Sequence, residues 1–267
     1  MPAHEVSGMR SNSAKAKWRR GEVTFGAWLS IPSSFSAEVV ARQAFDWICI
    51  DMQHGATDYQ AALTMLQAIS TSEATPIVRV PGNESWMIGR MLDAGAMGIV
   101  VPMVNSVDEA RAVVAACRYF PAGARSYGPT RAGLYAGGGE YFARANDEVA
   151  CIPMIETKQA LERLDDILSV PGIDAVYVGP ADMSITLGLS PRMDNGGAFE
   201  EARIAIAEAC RRHGVTAGIH ANASLAARHV EAGYRMITVF DDAAAIAAGA
   251  IRDLRTVRGG QTERVGA

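Results

Sequence analysis

From Thr24 onward the chain repeats one rhythm: a short apolar, β-branched run followed by a longer amphipathic run. No single motif restricts the fold as much as that repeat does. The strand candidates are Thr24–Ile31, Asp46–Met52, Thr75–Val80, Gly98–Val104, Val149–Ile155, Asp174–Val178, Thr216–His220 and Met236–Phe240. Helical periodicity marks Ser36–Ala44, Tyr59–Ser70, Ser85–Ala94, Val107–Tyr119, Lys158–Ser169, Ala198–His213, Ser224–Ala232 and Ala243–Val257. Asp58 and Ser106 stand where helices need N-caps, and Gly95, Gly214 and Gly233 where helices should end.

Eight strands alternating with eight helices predict an α/β fold, a (β/α)8 barrel. A doubly wound open sheet is the competitor, but no GxGxxG follows the first strand. The interior of such a barrel is packed with side chains, so chemistry belongs at the carboxyl ends of the strands. Polar residues gather there: Asp51 and His54 after the second strand, Arg79 at the third, Glu156 at the fifth, and Asp182 after the sixth.

The last two stand out. The runs VACIPMIET and DAVYVGPAD are buried-strand sequences that each end in a carboxylate. Neighbouring parallel strands lie about 4.8 Å apart, so the two acids would repel unless one took a proton or a cation sat between them. A divalent ion with oxygen ligands resolves that conflict. Helix capping is the plainer role for either acid, Asp182 above all. With no histidine or cysteine close by in sequence, Mg2+ or Mn2+ suits the pair better than zinc.

Asp51 and His54 share the turn DMQHG, where the acid could orient the imidazole and raise its basicity as a general base. Arg79, in IVRVPG, could bind a carboxylate or a developing oxyanion; an internal salt bridge with Asp51 or Glu156 is the alternative. His213, His220 and His229 read as structural, with His220 the one rival to His54. Phosphate binding at Gly179-Pro180-Ala181 is a weak signal, because HANAS and FDDAA offer no run of glycines.

Composition narrows the function classes. At 267 residues, a net charge of −4 and pI near 5.8, the chain is a poor electrostatic match for nucleic acid. No apolar run reaches the roughly 20 residues of a membrane span, and the N-terminus lacks the apolar core of a secretory signal. The four cysteines are scattered without CxxC spacing, which fits buried thiols in a reducing cytoplasm rather than disulfides. Lysine occurs only at 15, 17 and 158, so an imine mechanism would rest on Lys158.

Residues 1–21 are polar and basic and read as a poorly ordered extension ahead of one barrel domain spanning residues 22–267. Phe120–Asn146 is long for a connection, and by alternation it falls at the opposite end of the barrel from the site. Leu187–Gly197 follows the acid-bearing sixth strand and has the position of a lid.

The runs DMQHG, IVRVPG, RMLDAGAMGIVVPMV, DEARAVVAACRYFPAGAR, PMIET and DAVYVGPADMS, in this order, resemble the class II (metal-dependent) pyruvate aldolases of the HpcH/HpaI family. The likeness runs from about Thr24 to the C-terminal helix. It implies a barrel of the phosphoenolpyruvate/pyruvate-binding type and cleavage of a 4-hydroxy-2-oxo acid to pyruvate, or a hydroxypyruvate-like donor, and an aldehyde. The intermediate would be a metal-held enolate, with oxaloacetate decarboxylation as a side activity.

By the same likeness Glu156 and Asp182 are the metal ligands for Mg2+, Mn2+ or Co2+, and His54 is the base. Arg79 stabilises the enolate, Asp93 raises the basicity of the histidine, and the backbone at Ala181 and Asp182 contacts the pyruvate carboxylate. A hexamer with the last helix exchanged between subunits is implied as well. The chain departs from the pattern at Gln53, where many members have an acid, and at Met154, where some have a substrate-binding glutamine. Other classes on the same barrel are an acyl-CoA lyase, a phosphoenolpyruvate mutase or a non-catalytic oxo-acid binder.

Overall fold

The computed structural model describes residues 9–135 and 140–258; expectations for residues 1–8, 136–139 and 259–267 lie outside the described residues. The eight predicted strands all form: β1 (Thr24–Leu29), β2 (Trp47–Asp51), β3 (Thr75–Arg79), β4 (Gly98–Val101), β5 (Ala150–Pro153), β6 (Ala175–Val178), β7 (Thr216–Ile219) and β8 (Met236–Asp241). They run parallel in the order β5-β4-β3-β2-β1-β8-β7-β6. Met154 bridges Tyr177 across the remaining seam, and the Ile155 N–H donates to the Tyr177 carbonyl at 3.0 Å. The sheet is thus a nearly closed barrel in strict chain order, as successive right-handed βα units produce.

The helices packed outside are α2 (Ser34–Ala41), α3 (Tyr59–Ile69), α4 (Ser85–Asp93), α5 (Val107–Cys117), α10 (Ala198–His213) and α11 (Ala226–Glu231). The predicted helix Lys158–Ser169 is two short ones, α7 (Lys158–Glu162) and α8 (Leu164–Leu168). Asp58 and Ser106 cap α3 and α5 as expected, accepting from the Ala61 and Glu109 amides at 2.8 and 3.2 Å. Two apolar layers result. One fills the space between strands and helices; the other, with Trp28, Trp47, Ile77, Ile152 and Tyr177, fills the barrel itself.

The reading of residues 1–21 as a poorly ordered extension is corrected for its described part. Ser13–Arg19 form α1, capped by Asn12, whose side chain accepts from the Lys15 amide at 2.9 Å. Ala14 and Trp18, four residues apart, share one helix face and join the core inside the barrel. Trp18 Nε1 donates to Thr24 Oγ1 at 2.7 Å, while Lys15 Nζ meets Asp174 at 2.8 Å and the Val149 carbonyl at 3.0 Å. Both of those partners precede strands, so α1 stoppers the amino end of the barrel. Of the basic residues that looked like a solvated tail, Lys15, Lys17 and Arg20 are ion-paired, Arg10 and Arg19 donate to backbone carbonyls, and the buried tryptophan holds the helix in place.

The described parts of Phe120–Asn146 lie at that same amino end, as alternation predicts. Arg131 Nη1 donates to the Ala94 carbonyl at 2.7 Å and Tyr135 OH to the Gly95 carbonyl at 3.1 Å, both at the turn before β4. The stretch contains a 3-10 turn at Ala132–Tyr135 and most of an unpredicted helix, α6 (Glu140–Glu148). A further unpredicted helix, α9 (Pro180–Thr186), begins immediately after β6 with proline in its first turn. The last helix is α12 (Asp242–Val257). Among the described residues no helix is long and apolar enough to cross a membrane.

Candidate active site

At the carboxyl end of the barrel the strand tips enclose a cavity of about 570 Å3. Asp51, His54, Arg79, Met154, Glu156, Ala181 and Asp182 all line it, so seven residues from four separate motifs meet as the sequence predicts. Asp93 does not. It ends α4 at the opposite end of the barrel, where Oδ1 accepts from Arg125 Nη2 at 2.7 Å. A helix that returns from a strand's carboxyl end must finish at its amino end, so within one chain Asp93 stays far from His54. Partial burial raises the Asp93 carboxyl even though Arg125 acts to lower it.

Glu156 is buried, just past the end of β5. Its Oε1 accepts from the Met103 amide at 2.8 Å, an amide carried by a residue held at φ +56°. The other oxygen, Oε2, points at Gly179, where a Cβ would lie only 2.3 Å away. Glycine there leaves space for the carboxylate, which is why the strand-to-helix turn before α9 begins with it. Burial pushes the Glu156 carboxyl up to about 7; Asp182 adds to that rise, while the Met103 amide and Arg79 oppose it.

Neither acid is a helix cap. Thr157 caps α7, and no side chain caps α9, whose first turn holds Asp182. The Met183 amide is the first in α9 to reach a backbone acceptor, the Gly179 carbonyl at 3.0 Å, so the Ala181 and Asp182 amides are left over at the cavity wall.

Asp51 and Arg79 are directly opposite each other on β2 and β3. Arg79 donates from Nε and Nη2 to the two Asp51 oxygens at 2.9 and 2.6 Å. The salt bridge offered as the alternative for Arg79 is therefore present, and the expectation that Asp51 orients the His54 ring is corrected. Both Asp51 oxygens are taken: Oδ2 also accepts from Trp28 Nε1 at 3.2 Å, and Oδ1 from the Gln53 and His54 amides at 3.0 and 3.3 Å. Asp51 shapes the turn that carries His54 but does not touch its imidazole. Burial alone would raise the Asp51 carboxyl; the Arg79 contacts prevail and hold it below its ordinary value. Arg79 Nη1 has no hydrogen-bond partner among the described residues, and the guanidinium lies 4.9 Å over the Trp28 ring.

Sequence reasoning missed part of the wall. Trp28 stacks on Tyr177 with centroids 5.3 Å apart, and His220, read as structural, lines the cavity edge-on to Trp28. His220 Nδ1 is 3.4 Å from Tyr177 OH, which also bonds Thr238 Oγ1. Burial, with Arg79 nearby, lowers His220 to about 4, so it is neutral near pH 7. Its position at the end of the seventh strand was the available signal. Arg192 and Met193, in the stretch with the position of a lid, also line the cavity.

No lysine lines the cavity. Lys15 and Lys17 pair with Asp174 and Asp46 at 2.8 and 2.5 Å, and exposed Lys158 reaches Glu162 at 3.9 Å.

Known proteins share this arrangement of chain. Residues 24–248 match the family model described as HpcH/HpaI aldolase/citrate lyase. The chain is 39% identical over 241 residues to a hydroxypyruvate/pyruvate aldolase of Rhizorhabdus wittichii, covering 90% of this chain and 96% of that protein. It is 38% identical over 244 residues to a 4-hydroxy-2-oxo-heptane-1,7-dioate aldolase of Shigella flexneri, with 90% of each covered. A solved family structure from Burkholderia cenocepacia J2315 superposes with a TM-score of 0.88 at 33% identity, covering 93% of this chain and 100% of that one. Similarity of that depth in both sequence and fold makes this chain a member of the HpcH/HpaI aldolase/citrate lyase family, and a carbon–carbon lyase.

Proposed function

We propose that the protein reversibly cleaves a 4-hydroxy-2-oxo acid to pyruvate, or a hydroxypyruvate-like donor, and an aldehyde, with a divalent cation at Glu156 and Asp182. The observation that carries this reading is the meeting of those two carboxylates in one cavity with Arg79. The residues fit a hard cation. Glu156 is a desolvated acid that an adjacent positive charge would restore to its ionised form, and its Oε2 makes no hydrogen bond among the described residues. Among those residues no group of three or more His, Cys, Asp or Glu could hold a metal. The remaining ligands would then be substrate or water oxygens, a common arrangement for Mg2+ and Mn2+. Bound there, the cation would supply Lewis acidity toward the oxo acid.

The chain's own groups do the rest. The leftover Ala181 and Asp182 amides would hold the donor carboxylate. Arg79, fixed by Asp51, offers its free Nη1 to the oxygen that gains charge as the donor becomes an enolate. His54, exposed at the rim and free of ring hydrogen bonds among the described residues, moves the proton to and from the C4 hydroxyl, directly or through a water. Trp28 and Tyr177 keep bulk water from the donor end. The absence of lysine from the wall favours this route over an imine. Oxaloacetate decarboxylation follows from the same enolate chemistry.

A homo-oligomeric, cytoplasmic enzyme completes the reading. Only Asp242 of α12 is buried, while Ile246, Ile251, Leu254 and Val257 are exposed. A sixteen-residue helix with that many bare apolar side chains supports exchange of α12 between subunits of a hexamer. The chemistry is tested by solvent deuterium exchange into the pyruvate methyl group. Exchange that vanishes on chelation and returns with Mg2+, Mn2+ or Co2+ is expected, with His54→Ala retaining pyruvate binding but losing most carbon–carbon cleavage. Cleavage that survives exhaustive chelation, or that borohydride abolishes, would overturn it.

A further inference from the structure

Past the last residue of β5, the chains leaving β4 and β5 stay joined by three successive rungs. The Met154 N–H donates to the Val101 carbonyl at 2.8 Å, and the Met103 N–H donates to Glu156 Oε1 at 2.8 Å. In the third, Thr157 Oγ1 donates to Asn105 Oδ1. A carboxylate thus takes the place of a backbone acceptor in the middle rung, and two side chains make the outer one.

The middle rung demands an unusual backbone. Met103 lies at φ +56°, one of two non-glycine residues with positive φ among those described. A side chain in that left-handed region crowds the following carbonyl oxygen, so something must hold the residue there. The thioether does not, because Met103 is 47% exposed. The brace is Asn105. Its Nδ2 donates to the Met103 carbonyl at 2.9 Å, and its backbone N–H donates to Glu109 Oε2 at 2.6 Å in the first turn of α5. Its Oδ1 meets Thr157, the cap of α7. Between Met103 and Asn105, Val104 is buried in the layer beneath the helices.

Engaging Oε1 decides which oxygen of Glu156 is free. Oε2 is left on the side of Gly179, where the missing Cβ makes room for it. Resting on the assignment of a divalent cation to Glu156, we propose that Asn105 is a positioning residue for that site. It holds Met103 in the left-handed region, keeps the Met103 amide on Oε1, and so reserves Oε2 for the metal. Among the described residues Asn105 has no hydrogen bond to Glu156, and its reach to the carboxylate is the Met103 main chain. Groups that orient a metal ligand in this way spare it the cost of ordering when the ion binds.

The test is calorimetric titration of the metal-free protein with Mn2+, with circular dichroism to check the fold. Asn105→Ala should weaken binding about 10- to 100-fold, the usual loss when the partner that orients a ligand is removed. Met103→Val, with Asn105 intact, should weaken it too, because a β-branched residue resists the left-handed region. Glycine enters that region freely, so Met103→Gly should bind Mn2+ nearly as the wild type does. In that background Asn105→Ala should show only a small part of its loss. Wild-type affinity in Asn105→Ala or Met103→Val overturns the proposal. So does an equal loss from Asn105→Ala with methionine or glycine at 103, because Asn105 would then act by a route other than Met103. A wild type that binds no Mn2+, or binds it no better than Glu156→Gln, overturns the metal assignment, and this proposal with it.

Discussion

Asp51 and Arg79 are register partners on adjacent strands, and their side chains form a two-point ion pair under the cavity. The pair is nearly buried, at 3% and 11% side-chain exposure, so each charge depends on the other. Asp51→Ala should cost about 3–5 kcal/mol of stability, as expected when one member of a buried pair is removed. It also deprives the Gln53 and His54 amides of their acceptor. Urea denaturation checks the first effect, and a loss below about 1 kcal/mol would show that the guanidinium finds another partner.

Glu156 sets function against stability. Its carboxyl titrates near 7 in the folded chain against 4.5 ordinarily, so the unfolded chain ionises first as pH rises. The metal-free protein is therefore most favoured, on this account, below pH 4.5, and loses stability as pH climbs to about 7. Glu156→Gln should abolish Mn2+ binding in calorimetry yet stabilise the metal-free fold at pH 8 by on the order of 2 kcal/mol. A variant that is destabilised at pH 8 would refute this account of the buried acid.

Gly179 guards the space that Glu156 needs. A Cβ at that position would sit 2.3 Å from Glu156 Oε2 and 3.0 Å from Met154 Cε. Gly179→Ala should displace the carboxylate and weaken metal binding at least tenfold (about 1.4 kcal/mol) while the barrel still folds. Metal titration followed by circular dichroism separates the two effects.

Acid should loosen the protein through its buried imidazoles. His220 and His229 are both lowered to about 4 by burial, and neither His229 ring nitrogen has a hydrogen-bond partner among the described residues. The unfolded chain takes up these protons near pH 6.5 and the folded chain only near 4. Stability is thus fully present above pH 6.5 and falls as pH drops toward 4, by up to about 3 kcal/mol for each ring. His229→Phe should flatten the fall in urea midpoint between pH 7 and 4; an unaltered slope would assign the acid sensitivity elsewhere.

The exposed face of α12 predicts an assembly defect separable from folding. Removing the chain beyond Ala245 keeps Asp242, whose carboxylate accepts from the Ser30 and Ile31 amides at 2.9 and 3.2 Å. Light scattering should then report a smaller assembly with unchanged barrel circular dichroism.

The order of strands and helices, the end of the barrel that carries chemistry and seven of the groups lining the cavity were legible in the sequence. The reason is local: periods of 2 and 3.6 record which face is buried, and a strand's polar tip can only lie at its end. Glu156 and Asp182 could be paired because β5 and β6 are consecutive in chain order. Partners across the barrel were a different matter. That Asp51 binds Arg79 and not His54 depends on the register of β2 against β3, and the sequence of neither strand contains that register. The basic residues before Thr24 look identical whether solvated or, like Lys15, docked on Asp174; only the packing of Trp18 into the barrel decides. Asp93 belongs to a helix that ends at the amino end of the barrel, so within one chain it lies apart from the cavity to which likeness alone had assigned it. Local pattern wrote the elements and their polar tips, and long-range contact chose which charges met, because electrostatic pairing depends on distances that only the closed barrel fixes.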